Sequence, residues 1–364
     1  MPSRTPQTLP PAFVPPYLLS RLAENASAPL SERAVNTLTI DREHRALRGF
    51  VPPAVVQGAT AVPPRAARPN SPERAIYDAG HKTVLPGKLV RTEGRPATGD
   101  IAADEAYDHL GATWRLYHDV YERDSIDGAS MPLTGSVHYG KDYDNAFWNG
   151  TQMVFGDGDG EVMNRFTIAV DIIGHELTHG VIDHEAGLVY QGQPGALNES
   201  ICDVFGVLVK QHVLKQTAQQ ADWLIGAGLF MSSVKAKALR SMAEPGTAYD
   251  DPVIGKDPQP AHMKDFVVTS QDNGGVHINS GIPNRAFHLA AVAISGPAWE
   301  TAGRVWYDTL RDRRLRQDAD FEAFATLSVD VASQRFGAGS AVRKAVADAW
   351  QAVGVIEPWS ACHR

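Results

Sequence analysis

Cysteine is nearly absent from the 364 residues: Cys202 and Cys362 stand alone, too few for a disulfide framework, so stability must come from packing or a bound metal. Long apolar runs are also missing. Residues 166–173 and 286–295 are the most apolar later stretches, far short of the roughly 20 residues a membrane span needs. Proline interrupts the first twenty residues, so no Sec leader is evident. Positive charge is scarce too: 34 Lys and Arg face 42 Asp and Glu, a net charge of -8. That balance argues against nucleic acid or membrane as the main partner. What is present, 43% hydrophobic and 21% charged residues, is ordinary for a globular chain of about two domains.

Composition is uneven. Residues 1–70 hold 12 of the 24 prolines, eight Arg and four acids, leaving the remainder strongly acidic. This opening reads as a Pro-rich arm, a helix from about Ser31 to Leu47, and a second Pro/Ala stretch. Residues 76–80 and 89–94 look like short strands, Ile101 to Arg123 like a helix, and residues 137–150 like aromatic-rich strands and turns. After about Asn164 the pattern is mostly helical, with breaks at QGQPG, EPGTAYDDP, GKDPQP and QDNGG. The expectation is an α+β protein of two lobes. Its divisions are a prosegment and linker at 1–70, a β-rich lobe at 71–186 and a helical lobe at 187–364.

The chemistry concentrates in Gly174-His175-Glu176-Leu177-Thr178-His179. Residues four apart on a helix share a face, so His175 and His179 can grip one metal while Glu176 stands beside it. Catalytic zinc takes three protein ligands and keeps a position for water. Glu199, 20 residues beyond His179, is placed to return on a second helix as the third. Asp203 follows four residues later on the same face, suited to accept the free ring N–H of His175. Asp272 and His277 share one short segment, an oriented imidazole able to donate to developing negative charge.

These residues resemble the thermolysin-like family of zinc metallopeptidases, most closely its protealysin-like branch with a short prosegment. NAFWNG (145–150), MVFGDGDG (153–160), GHELTHGV (174–181), GLVYQGQPGALNESICD (187–203) and DNGGVHINSGI (272–282) carry the likeness, and PPYLL (15–19) resembles the branch's prosegment motif. The resemblance implies a zinc cleft between the two lobes, with His175, His179 and Glu199 as ligands and Glu176 as general base. It implies His277 and Tyr190 as oxyanion donors, with Asp272 orienting His277. Arg240 would contact the carbonyl after the scissile bond, and Asn145 and Ala146 the substrate backbone. Leu239, Ile172, Phe166 and Ile225 would line a hydrophobic pocket beyond that bond.

The activity implied is a monomeric endopeptidase cutting internal bonds of peptides and proteins before bulky hydrophobic residues. The prosegment, with Pro15, Pro16, Tyr17 and Leu18 read as a stiff extended strip, would act as chaperone and inhibitor. Self-cleavage is expected within residues 48–70, where Phe50, Val51 and Val55 are candidates. Export by a route other than Sec is expected from the resemblance, with a cytoplasmic location as the alternative. A binding protein that keeps the metal site is the competing class. The usual calcium site is degraded: Asp171 and Asp222 match it, but Lys210 and Ala227 stand where acids are expected. We therefore expect the Lys210 ammonium to replace an ion. Asp157 and Asp159 read as a turn, and the formal sequon at Asn198 is rejected as a glycosylation site because of its place beside Glu199.

Overall fold

Two helices open the computed structural model, which describes residues 12–48 and 68–357. Helix α1 (Pro16–Asn25) starts where Pro16 occupies the first helical position. Proline fixes φ there and its missing N–H costs nothing. The motif expected to be extended is thus helical from Pro16 onward. Leu18 and Leu19 are good helix formers and no further proline follows before Pro29, so within the motif only the Pro15 cap keeps an extended backbone. Leu18, Leu19 and Leu22 are buried along one face. Helix α2 (Ala28–Arg48) packs on α1, and the Ser31 hydroxyl donates to Ala23 O at 2.5 Å. Phe50, Val51, Val55 and Cys362 lie outside the described residues.

The first lobe is a five-stranded sheet with α3 (Ile101–Arg115) packed on it. Its strands are β1 (Ala75–Asp78), β2 (Lys88–Thr92), β3 (Thr134–Val137), β4 (Ala146–Trp148) and β5 (Met153–Phe155), ordered β2-β1-β3-β5-β4. The pairs β1–β3 and β3–β5 are parallel, while β1–β2 and β4–β5 are antiparallel. Strand β4 is therefore an edge, paired to β5 through Phe147 and Val154. Asp100 caps α3 by accepting from Ala103 N at 2.9 Å. The helix expected to reach Arg123 instead relaxes into a π-turn at Leu116–Val120. There Tyr117 meets Thr178 Oγ1 at 2.7 Å.

Helix α4 (Val170–His184) packs on β4 and β5, and α5 (Gly192–Leu214) packs along α4. Glycines set their spacing. A Cβ on Gly206 would stand 2.6 Å from Asp171 O, and one on Gly174 would stand 3.0 Å from Gly206 Cα. The expected break at QGQPG is instead the first turn of α5, where Pro194 precedes the need for amide donors. The stretch after α5 departs most from the helical expectation. It holds two ribbons, β6 (Leu224–Ile225) with β7 (Arg240–Ser241) and β8 (Asp250–Asp251) with β9 (Gly255–Lys256). Gly226, Gly228, Gly246 and Gly255 there all take positive φ, which breaks helical continuity. Helices α6 (Asp272–Asn279), α7 (Gly281–Ile294), α8 (Ala302–Arg311), α9 (Phe321–Phe336) and α10 (Ala341–Ala352) complete the second lobe. The result is a two-lobed α+β fold, mixed sheet first and helices second. Among the described residues no helix is long and apolar enough to cross a membrane.

His138 ties the sheet to α3 and to the Asp157 turn. Its Nδ1 donates to Asp157 at 2.9 Å and its Nε2 to Asp100 at 3.0 Å. The bond to Asp157, with burial opposing it, raises the imidazolium pKa to about 9. A raised pKa contributes stability that is complete below the unfolded value near 6.5 and is lost as pH rises through about 9. Urea midpoints measured from pH 6 to 10 should therefore fall more steeply for wild type than for His138→Gln, the two curves converging at the alkaline end.

Candidate active site

His175 and His179 lie one turn apart on α4, and Glu199 faces them from α5. Glu199 Oε2 is 3.5 Å from His175 Nε2, and Oε1 is 3.5 Å from His179 Nε2. Tetrahedral zinc with bonds of about 2.0–2.1 Å sets its ligand atoms about 3.4 Å apart. His179 Nε2 and Glu199 Oε2 are buried without a hydrogen-bond partner among the described residues, which buried polar atoms do not tolerate unless something occupies them. Burial pushes the His179 imidazolium down to about 3, leaving a neutral ring. Burial alone would raise Glu199, but His277, His175 and His179 outweigh it and hold the carboxylate below its ordinary range. The donor set fits zinc.

Behind the site each ring is fixed through Nδ1. His175 donates to Asp203 Oδ1 at 2.8 Å and His179 to Asn198 Oδ1 at 2.8 Å. Asp203 is fully buried and also accepts from Arg240 Nε (2.8 Å) and Nη2 (2.8 Å) and from Asn284 Nδ2 (2.8 Å). Burial opposes its ionisation, yet Arg240 and His175 bring its pKa well below the carboxylate range. Cys202 Sγ lies 3.1 Å from His179 Nδ1. Its sulfur lies within 4.8 Å of a ring nitrogen of each histidine, but on His179 it meets the Nδ1 that Asn198 already holds. His184 points elsewhere, its Nδ1 donating to Gly180 O at 2.8 Å.

Glu176 is buried beside the histidines, and its Oε2 accepts from Trp148 N of β4 at 2.9 Å. His277 reaches the site because Asn273, Gly274 and Gly275 take left-handed angles, so the expected loop is a tight turn running directly into a helix. Asp272 accepts from His277 Nδ1 at 2.6 Å and His277 N at 2.9 Å. Burial lowers the His277 pKa, but Asp272 and Glu199 more than compensate and raise it. Its Nε2 stands 3.5 Å from Glu199 Oε2. The Tyr190 hydroxyl donates to Glu199 Oε1 and lies 3.5 Å from His277 Nε2.

The arm enters this cleft ahead of the PPYLL motif. Phe13 N donates to Ala146 O at 2.9 Å, Val14 N to Asn145 Oδ1 at 2.8 Å, and Asn145 Nδ2 to Val14 O at 3.3 Å. The Phe13 ring, 1% exposed, meets His175 edge-on at 5.1 Å and lies 4.9 Å below the Arg240 guanidinium. Phe166, Ile172, Ile225 and Leu239 are buried in the same apolar cluster. Gly226 borders the Phe13 ring at a φ of +71°, a left-handed conformation that favours glycine. Sequence reasoning missed Asn198, Asn284 and the Trp148 amide. Asn198 adjoins Glu199 in the motif itself, Asn284 lies far downstream with no spacing cue, and a backbone donor leaves no residue signature.

A buried HExxH pair facing a carboxylate on a second helix, in the cleft of a two-lobed α+β fold, defines a zinc metallopeptidase. Comparison with known proteins agrees. Residues 67–183 match the family model for the thermolysin metallopeptidase catalytic domain, and residues 186–355 match that for its alpha-helical domain. An extracellular metalloprotease of Pectobacterium carotovorum subsp. carotovorum is 52% identical, over 94% of this chain and 96% of that protein. Protease PrtS of Photorhabdus sp. (strain Az29) is 47% identical, over 94% and 91%. The solved precursor of protealysin, a metalloproteinase from Serratia proteamaculans, superposes with TM-score 0.86 at 54% identity, over 95% of this chain and 99% of that one. The chain belongs to the thermolysin-like family of metalloendopeptidases, in its protealysin-like branch.

Asp203 is the residue on which the ligand geometry leans, so Asp203→Asn tests it. Weakening the His175 bond is expected to lower zinc affinity about 10–100-fold. Leaving Arg240 buried without its counter-charge costs about 3–5 kcal/mol. Competitive zinc chelation and thermal melts measure the two effects separately.

Proposed function

We propose that the chain is a self-processing endopeptidase that cuts internal peptide bonds before bulky hydrophobic residues. The observation that carries this reading is the arm's own Phe13, laid in the cleft with its side chain in the apolar pocket and its backbone on Ala146 and Asn145. The arm is thereby an intramolecular inhibitor, removed by cleavage within residues 48–70. Export by a route other than Sec accords with the extracellular relative from Pectobacterium.

His175, His179 and Glu199 would hold the zinc. When bound, zinc lowers the pKa of a water toward neutrality and polarises a peptide carbonyl. Glu176, oriented by the Trp148 amide, takes the proton from the attacking water and passes it to the leaving amine. His277, kept protonated by Asp272, donates to the charge growing on the carbonyl oxygen, with Tyr190 as the second donor. Arg240, Asn145 and Ala146 hold the extended substrate, and Leu239 lines the pocket.

With the arm removed, wild type should cut end-blocked peptides before Phe or Leu. Glu176→Gln should lose at least about 10²-fold in kcat, and exchanging the pocket-filling Phe of the peptide for Ala should lower kcat/KM about 10²-fold. Stoichiometric zinc without turnover would favour the binding-protein reading.

Lys210 supports independence from calcium at the degraded site. Its Nζ is 3.1 Å from Asp171 and 2.8 Å from Asp222, and it donates to Leu224 O at 2.5 Å. Burial opposes its charge, but Asp171 and Asp222 keep its pKa above the ordinary lysine value. At fixed zinc, added calcium should leave the Tm of wild type unchanged. Lys210→Met should be less stable by about 3 kcal/mol, since buried Asp171 loses its partner.

A further inference from the structure

We propose that the arm is also a substrate at its own Ala12–Phe13 bond, cut in cis to leave a chain that begins at Phe13 while the arm stays docked. This inference rests on the endopeptidase reading above and adds a second, earlier cut that is distinct from removal of the prosegment.

Three observations fix the register. Phe13 and Val14 make three hydrogen bonds to Ala146 and Asn145, and the Phe13 ring fills the pocket beside His175 and Arg240. Ala12 lies on the other side of the bond, buried against a separate cluster that includes Tyr139, Tyr143, Phe147 and Val154. The Ala12–Phe13 peptide therefore joins the two apolar clusters. Strand β4 supplies the third observation. Alternate residues of a strand share an edge, so the Ala146 carbonyl that receives Phe13 N–H and the Trp148 amide that holds Glu176 lie along one edge. The arm's Phe13 amide and the Glu176 carboxylate are thus held on the same edge of β4, two residues apart.

The step balances with water alone. Water adds to the Ala12 carbonyl carbon and the Ala12 C–Phe13 N bond breaks. The proton that Glu176 takes from water goes to the Phe13 nitrogen, leaving an Ala12 carboxylate and a Phe13 amine. The cut is slow relative to a free peptide, because Arg240 Nη1 is buried without a partner and so lacks the carbonyl that a full substrate presents. The cut does not release the arm. Asp41 accepts from Tyr143 at 2.6 Å and from Asn145 Nδ2 at 3.0 Å, and Leu18, Leu19 and Leu22 remain buried.

The test follows the zinc-loaded full-length chain by intact mass and N-terminal sequencing. A terminus at Phe13 is expected, formed at a rate independent of protein concentration and absent from Glu176→Gln and from Phe13→Asp. Phe13→Asp, once its arm is removed, should still cut an end-blocked peptide as wild type does. In zinc-free Glu176→Gln protein, adding Phe13→Gly should speed tryptic cleavage within α1 more than about tenfold, reporting a loosened arm. Three results would overturn the proposal: residues 1–12 kept until the whole arm departs, trimming that scales with concentration, or tryptic cleavage unchanged by Phe13→Gly. If residues 1–12 stay while the matured enzyme cuts the blocked peptide, the endopeptidase reading survives and only this inference falls.

Discussion

A carboxylate at the centre of a protein must be surrounded by donors, and Asp203 is the point where that requirement shapes the site. With no exposure to solvent it accepts one bond from His175, two from Arg240 and one from Asn284. Each donor comes from a different element: α4, β7 and α7. Satisfying one buried charge therefore fixes a ligand histidine, the guanidinium over the pocket and the helix behind both. A buried ion pair is poor evidence of net stability, but here its geometry determines function. The Arg240 face that packs on Phe13 is set by the same two bonds that neutralise Asp203.

The second constraint is the close crossing of α4 and α5. Gly174 and Gly206 allow a backbone approach that no larger residue permits, bringing Glu199 within 3.5 Å of both ligand rings. The edge strand β4 supplies the remaining wall. Its paired edge belongs to β5, while the other offers Ala146 to an incoming chain and the Trp148 amide to Glu176. One edge thus positions both the polypeptide in the cleft and the Glu176 carboxylate beside it.

Residues whose spacing is dictated by a helix were readable from sequence: His175, Glu176 and His179 on one turn, then Glu199 and Asp203 on another. Resemblance to a family supplied what spacing did not, such as Arg240 and Tyr190, which reach the site from loops and a two-residue strand. The Trp148 amide was illegible because a backbone donor has no side-chain identity. Proline density misdirected the reading of the arm, since two adjacent prolines suit a helix start as well as an extended strip. The ribbons between α5 and α6 were hidden because two-residue strands show no periodicity.

The arm also shows why a segment docked in the cleft needs more than a good fit to stay there. Burying Phe13 is worth about 2–3 kcal/mol, and three backbone hydrogen bonds add about 1 kcal/mol each. Before any ordering cost, that sum corresponds to a dissociation constant of roughly 0.1 mM, the range of a passing substrate. Helices α1 and α2 change the problem by holding residues 12–14 at high effective concentration, so that docking becomes intramolecular. Asp41 reinforces the coupling, because it holds the Asn145 amide nitrogen from α2 while the same side chain clamps Val14. Loosening α2 therefore weakens the clamp directly, and cutting the linker after α2 would leave residues 12–14 joined to both helices, so the buried Leu18, Leu19 and Leu22 and the Asp41 bonds must also be lost before the cleft opens.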